Sequence, residues 1–77
     1  MSPYQKLANA IVLLAAQDYR ETLEILCKQP RNQKYIRTRA ELEEFFLSDW
    51  FQLLTCLNGS VLMEDIQREV IRKAVVA

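Results

Sequence analysis

One glycine and two prolines in 77 residues constrain this chain more than any other feature. Sheets joined by tight turns draw on both residues repeatedly, and their scarcity points to long helices. Hydrophobic residues make up 51% and charged residues 26%, which is globular composition. The length allows one domain, spanning 1–77. A core this small buries roughly 60% of the unfolded chain's surface, so a partner or self-association is expected.

The helix signals fall in order. Ser2-Pro3-Tyr4-Gln5 begins a first helix: Ser2 caps, Pro3 suits the first turn, and Gln5 stands at the capping-box position. It runs to about Lys28, before Pro30. Wound at about 100° per residue, it gathers Tyr4, Leu7, Ala8, Ile11, Leu14, Ala15, Tyr19, Thr22, Leu23, Ile25 and Leu26 on one wide arc. Asn32 caps a second helix through about Leu47, with Tyr35, Thr38, Leu42, Phe45 and Phe46 as its stripe. Ser48 caps a short third helix from Asp49 to about Leu57, with Trp50, Leu53, Leu54 and Leu57 as its stripe. Asn58-Gly59 reads as a helix stop with Gly59 left-handed. Ser60 then caps a fourth helix carrying Leu62, Met63, Ile66, Val70 and Ala74. The expected architecture is all-α, a compact bundle of four helices, one of them short.

Several function classes are disfavoured. There is no histidine, which removes the commonest general base and metal ligand. Cys27 and Cys56 are 29 residues apart, and two thiols alone do not close a zinc site. Both sit among apolar neighbours and read as buried, reduced thiols of a cytosolic protein. No cofactor is expected. The apolar run Ile11 to Ala16 is far too short to span a bilayer, and no basic segment precedes it as in a secretory signal.

Ten basic and ten acidic residues cancel, but they are unevenly placed. Lys28, Arg31, Lys34, Arg37 and Arg39 fall between residues 28 and 39 with no acid among them, and Glu41, Glu43, Glu44 and Asp49 follow. A basic segment with Tyr35 inside it could hold phosphates and stack a base. Against this, Lys34, Arg37 and Arg39 wind in different directions. Arg37 and Arg39 also each lie four residues before a carboxylate, the spacing of local helix ion pairs.

Asp18 falls at the centre of the first helix's apolar arc. A carboxylate there must be paired, face a cavity, or shift its pKa. The expectation is a structural acceptor bonded to Arg39, Ser48, the amides at the start of the third helix, or the Trp50 indole. Phe45 to Phe51 places four aromatics in seven residues across a helix joint. Phe51, Ile36 and Leu47 lie off the main stripes, as do Val61, Val75 and Val76, and so predict an exposed apolar flank.

Two stretches carry a resemblance. Tyr4-Gln5-Lys6-Leu7-Ala8-Asn9-Ala10-Ile11-Val12 with Asp18-Tyr19-Arg20, and Phe45-Phe46-Leu47-Ser48-Asp49-Trp50-Phe51 with Leu54-Thr55 and Gly59, resemble small proteins carried by phages and prophages of Gram-positive bacteria. The similarity covers roughly residues 4 to 72. After the glycine those proteins usually carry an acid and an aromatic, where this chain has Ser60 and Val61, which puts any binding role of the last helix in doubt. The resemblance implies no activity. It implies a setting, the cytoplasm of a bacterial host, in which small non-catalytic proteins such as anti-CRISPR proteins bind a host machine.

The resulting expectation is a non-enzymatic protein-interaction module, an inhibitor or regulator of a host nucleic-acid enzyme acting by surface occlusion. Its partner would be a host protein or complex, with a homodimer as a further possibility and no membrane association. The contact residues would be Glu41, Glu43, Glu44, Ile36, Leu47 and Phe51, the acids standing in for phosphates. The alternative is a nucleic-acid-binding protein using Arg31, Lys34, Arg37 and Arg39.

Overall fold

Residues 2–76 are described by a computed structural model, in which four helices follow one another with no strand among the described residues. They are α1 (Pro3–Lys28), α2 (Gln33–Phe46), α3 (Asp49–Leu54) and α4 (Gly59–Val76). At about 1.5 Å per residue, α1 alone accounts for the 40 Å long axis of the molecule. The other three helices pack along it.

The expected caps of the first three helices form. The Gln5 amide donates to Ser2 Oγ at 3.2 Å and the Ser2 amide to Gln5 Oε1 at 3.3 Å, a closed capping box. Asn32 Oδ1 accepts from the Lys34 and Tyr35 amides. Ser48 Oγ accepts from the Phe51 amide at 3.2 Å. The fourth start differs from the expectation. Asn58, not Ser60, caps α4, its Oδ1 accepting from the Ser60 and Val61 amides.

Gly59 is not a left-handed stop. It is the first residue of α4, and no described residue has positive φ. Its role is close approach: a Cβ at Gly59 would fall onto the carbonyl oxygen of Phe46 and 2.8 Å from the carbonyl carbon. α3 is also shorter than expected, ending at Leu54 with Thr55 extended.

The core is Val12, Ala15, Tyr19, Leu23, Phe46, Phe51, Ile66 and Val70. Its centre is aromatic. Tyr19, Phe45, Phe46 and Phe51 meet at centroid distances of 5.5 to 5.7 Å, mostly edge to face, the geometry that ring quadrupoles favour.

The buried face of α1 is turned about a quarter of a circle from the expected arc. Leu7 and Leu14 are exposed, while Val12 and Ala16 face inward. The arc was wide enough for either edge to pack. The edge that does pack carries Ala8, Ala15 and Ala16, and small side chains let neighbouring helices come close. This overturns the expectation for Asp18, which is exposed and makes no hydrogen bond or ion pair among the described residues. Its expected donors are engaged elsewhere or turned away: Arg39 bonds Glu43, Ser48 Oγ donates to the Phe45 carbonyl, and Trp50 points outward. Thermal melts of Asp18→Ala and Asp18→Asn are therefore expected to match the parent within about 0.5 kcal/mol. A larger loss in either would return Asp18 to a structural role.

Candidate interaction surface

The polar group at the heart of the bundle is Tyr19, which follows Asp18 in sequence and lies about 100° round the helix from it. Its ring is fully buried, and its hydroxyl donates to Glu43 Oε2 at 2.8 Å and accepts from Gln67 Nε2 at 2.7 Å. Arg39 Nε donates to the same Glu43 oxygen at 3.0 Å. One hydroxyl thus ties α1, α2 and α4 together. The sequence carried a signal for it: a tyrosine inside an apolar arc needs a polar partner, and Arg39–Glu43 has the spacing of a helix pair.

Burial pushes the Tyr19 phenol above its ordinary 10.0, with Glu43 adding to the rise and Gln67 opposing it. The hydrogen bond to Glu43 likewise raises the Arg39 guanidinium. Because the folded phenol holds its proton more tightly than the unfolded one, its contribution is fully present below pH 10 and is lost as pH rises through the folded value. The parent should lose stability above pH 10 more steeply than Tyr19→Phe, which lacks the titrating group. At neutral pH the same variant should cost about 1–3 kcal/mol by leaving Glu43 and Gln67 short of a partner. Paired melts across alkaline pH check both statements. Parallel curves would contradict the first.

The three acids expected to act together do not form one face. Glu41 and Glu44, three residues apart, share one side of α2, and Glu43 points to another. Glu41 lines an open groove of about 490 Å³ between α1 and α2, which Asp18, Glu21 and Lys34 also line. Glu43 is held by Tyr19 and Arg39. Glu44 is exposed on the outer side of α2. Phosphate mimicry by a compact acidic patch is not what this helix presents.

The basic residues are dispersed as well. Arg39 pairs with Glu43, and Lys34 Nζ lies 5.6 Å from the Tyr35 ring centroid. Arg31 precedes α2, and Arg37 faces outward without the expected pair to Glu41.

Phe51, expected in the exposed flank, is at 0% exposure and packs edge to face on Phe45 and Phe46. Trp50, expected inside, is 56% exposed, and Leu53 is 80% exposed. With only six residues, α3 seats itself through one large ring, and Phe51 is the one aimed at the α2 rings. The side chain before it then swings out. Leu47 and Leu57 are exposed nearby, lining a hollow between the ends of α2 and α3 and the start of α4. Leu53 lines an adjacent hollow with Gln5 of α1. Ile36 is exposed on α2, well away from Leu47 along the helix axis.

Cys27 and Cys56 are free and exposed rather than buried, Cys27 bordering an open groove between α1 and α4. No group of three metal-ligating side chains occurs among the described residues. None of the described helices is long and apolar enough to cross a membrane. No family model, no curated protein and no solved structure matches this chain.

Proposed function

We propose that this chain is a non-enzymatic protein-interaction module whose contact surface is centred on α3, with Trp50 and Leu53 as anchors and Leu47 and Leu57 around them. The observation that carries the reading is the outward side of α3. A tryptophan and a leucine stand in solvent on a helix already seated by Phe51. Tryptophan is the residue most enriched where binding energy concentrates, and exposed apolar clusters mark contact sites. Asp49, exposed on the first turn of the same helix, adds a polar edge beside Trp50.

The biological setting follows from the resemblance to phage-borne proteins. The chain would act in the cytoplasm of a bacterial host as an inhibitor or regulator of a nucleic-acid enzyme, in the manner of an anti-CRISPR protein, by covering part of its surface. The acids are secondary in this reading. The nucleic-acid alternative is weaker, since Arg39 is already paired with Glu43 and lies on the opposite side of α2 from Lys34 and Arg37.

The test is capture from bacterial lysate by the tagged chain, with and without nuclease. The parent should retain a protein partner after nuclease treatment. The double variant Trp50→Ala/Leu53→Asp should lose that partner while keeping the parent's helical spectrum and melt. Capture that vanishes with nuclease would favour the basic segment. Capture unaffected by the double variant would remove α3 as the site.

A further inference from the structure

The outer side of α4 carries a pattern that neither the bundle core nor the α3 surface uses. Val61, Glu64, Arg68, Ile71 and Val75 follow the alternating three- and four-residue spacing of a coiled-coil seam. All five are exposed, Val61 at 50%, Ile71 at 60% and Val75 at 79%. The stripe is also self-complementary when reversed. Set against a second copy running antiparallel, with the two-fold axis level with Ile66, Val61 meets Ile71, and Glu64 meets Arg68. Each contact then occurs twice, as a two-fold interface requires. Glu64 makes no ion pair among the described residues, and Arg68 reaches only Asp65, at 3.8 Å.

We propose that α4 is a homodimerisation surface that pairs two copies of this chain antiparallel, with crossed Glu64–Arg68 pairs fixing the register between apolar layers of Val61 and Ile71. The charged pair is what selects a second copy over an unrelated helix: an antiparallel partner must place a cation opposite Glu64 and an anion opposite Arg68, and this chain does both. A buried or half-buried polar layer of this kind sets register and orientation at some cost in affinity. Asp65 lies beside the axis in both copies. In the single chain its side chain is 62% exposed and pairs with Arg68 at 3.8 Å, which offsets its charge.

The molecule's accessible surface supports a second copy. It is 5907 Å², against about 4,900 Å² typical of a folded monomer of 9.0 kDa. One helix pair of this length covers less than the roughly 800 Å² per partner of a standard interface. The dimer is accordingly weak and concentration-dependent.

The experiment is sedimentation equilibrium on the full chain, with circular dichroism on every variant to show an intact fold. The parent should move from monomer toward dimer as concentration rises. Glu64→Arg alone and Arg68→Glu alone should each weaken self-association about tenfold or more, because each sets like charges opposite one another. An equal mixture of the two variants should form a heterodimer at least as readily as the parent self-associates, since every crossed pair is then complementary. A parent that stays monomeric at millimolar concentration would overturn the proposal, as would a mixture that stays monomeric. A dimer indifferent to both reversals but lost in Trp50→Ala/Leu53→Asp would assign self-association to α3. That outcome overturns this proposal and is distinct from loss of a captured partner.

Discussion

Phe51→Ala should leave the chain largely unfolded, while Trp50→Ala, one residue away, should melt like the parent. Phe51 is fully enclosed and makes edge-to-face contacts with Phe45 and Phe46 at 5.7 and 5.5 Å. Removing a buried phenylalanine costs about 3–5 kcal/mol. A 77-residue domain has roughly 4–12 kcal/mol in total, and near the lower end of that range nothing remains. Trp50 is more than half exposed, and surface changes of this kind stay within about 0.5 kcal/mol. Urea or thermal melts of the two variants give the comparison. If Trp50→Ala proved the more damaging, α3 would be seated by the indole, and the proposed contact surface would be part of the core.

The second large effect runs against helix propensity. In an open helix, replacing glycine by alanine adds about 1 kcal/mol of stability. At Gly59 the same change should destabilise, because the added carbon would strike the Phe46 backbone carbonyl, which has no rotamer to move through. Forced overpacking of this kind typically costs about 1–3 kcal/mol. Gly59→Val should cost more than Gly59→Ala, adding branched bulk to the same collision. A Gly59→Ala protein that melts at or above the parent temperature would show that α4 does not begin against the end of α2.

These two positions show where the sequence was legible and where it was not. Caps at Ser2, Asn32 and Ser48 are local chemistry. Each side-chain oxygen bonds amides two or three residues ahead, so the helix starts they mark could be read directly. Helix existence and order follow from the same local rules. What could not be read was rotation. α1 carries apolar side chains around much of its circumference, and the choice between its Leu7–Leu14 edge and its alanine edge depends on which neighbour can come close. That choice is tertiary. Its consequence is large, since it moves Asp18 from the core to the surface and Tyr19 into the centre.

The same limit applies to α3. Six residues contain less than two turns, so periodicity cannot distinguish a Trp50 face from a Phe51 face, and the partner rings of α2 decide it. Gly59 shows a third kind of limit. An Asn-Gly pair serves equally to end one helix or begin another, and only the approach of Phe46 separates the two. The acidic run failed for a simpler reason. Neighbours in sequence on a helix are not neighbours in space, and Glu43 was claimed by a tyrosine 24 residues away.

The account rests on α3 presenting its tryptophan to solvent, and Trp50 is the only tryptophan in the chain. Steady-state tryptophan emission of the free protein, with acrylamide quenching before and after unfolding in urea, reads that exposure without interference from any other residue. The expected result is emission close to that of tryptophan in water, ready quenching in the folded state, and only a small further red shift on unfolding. Blue-shifted emission from the folded protein, protected from acrylamide until urea unfolds it, would place the indole in the core and contradict the account.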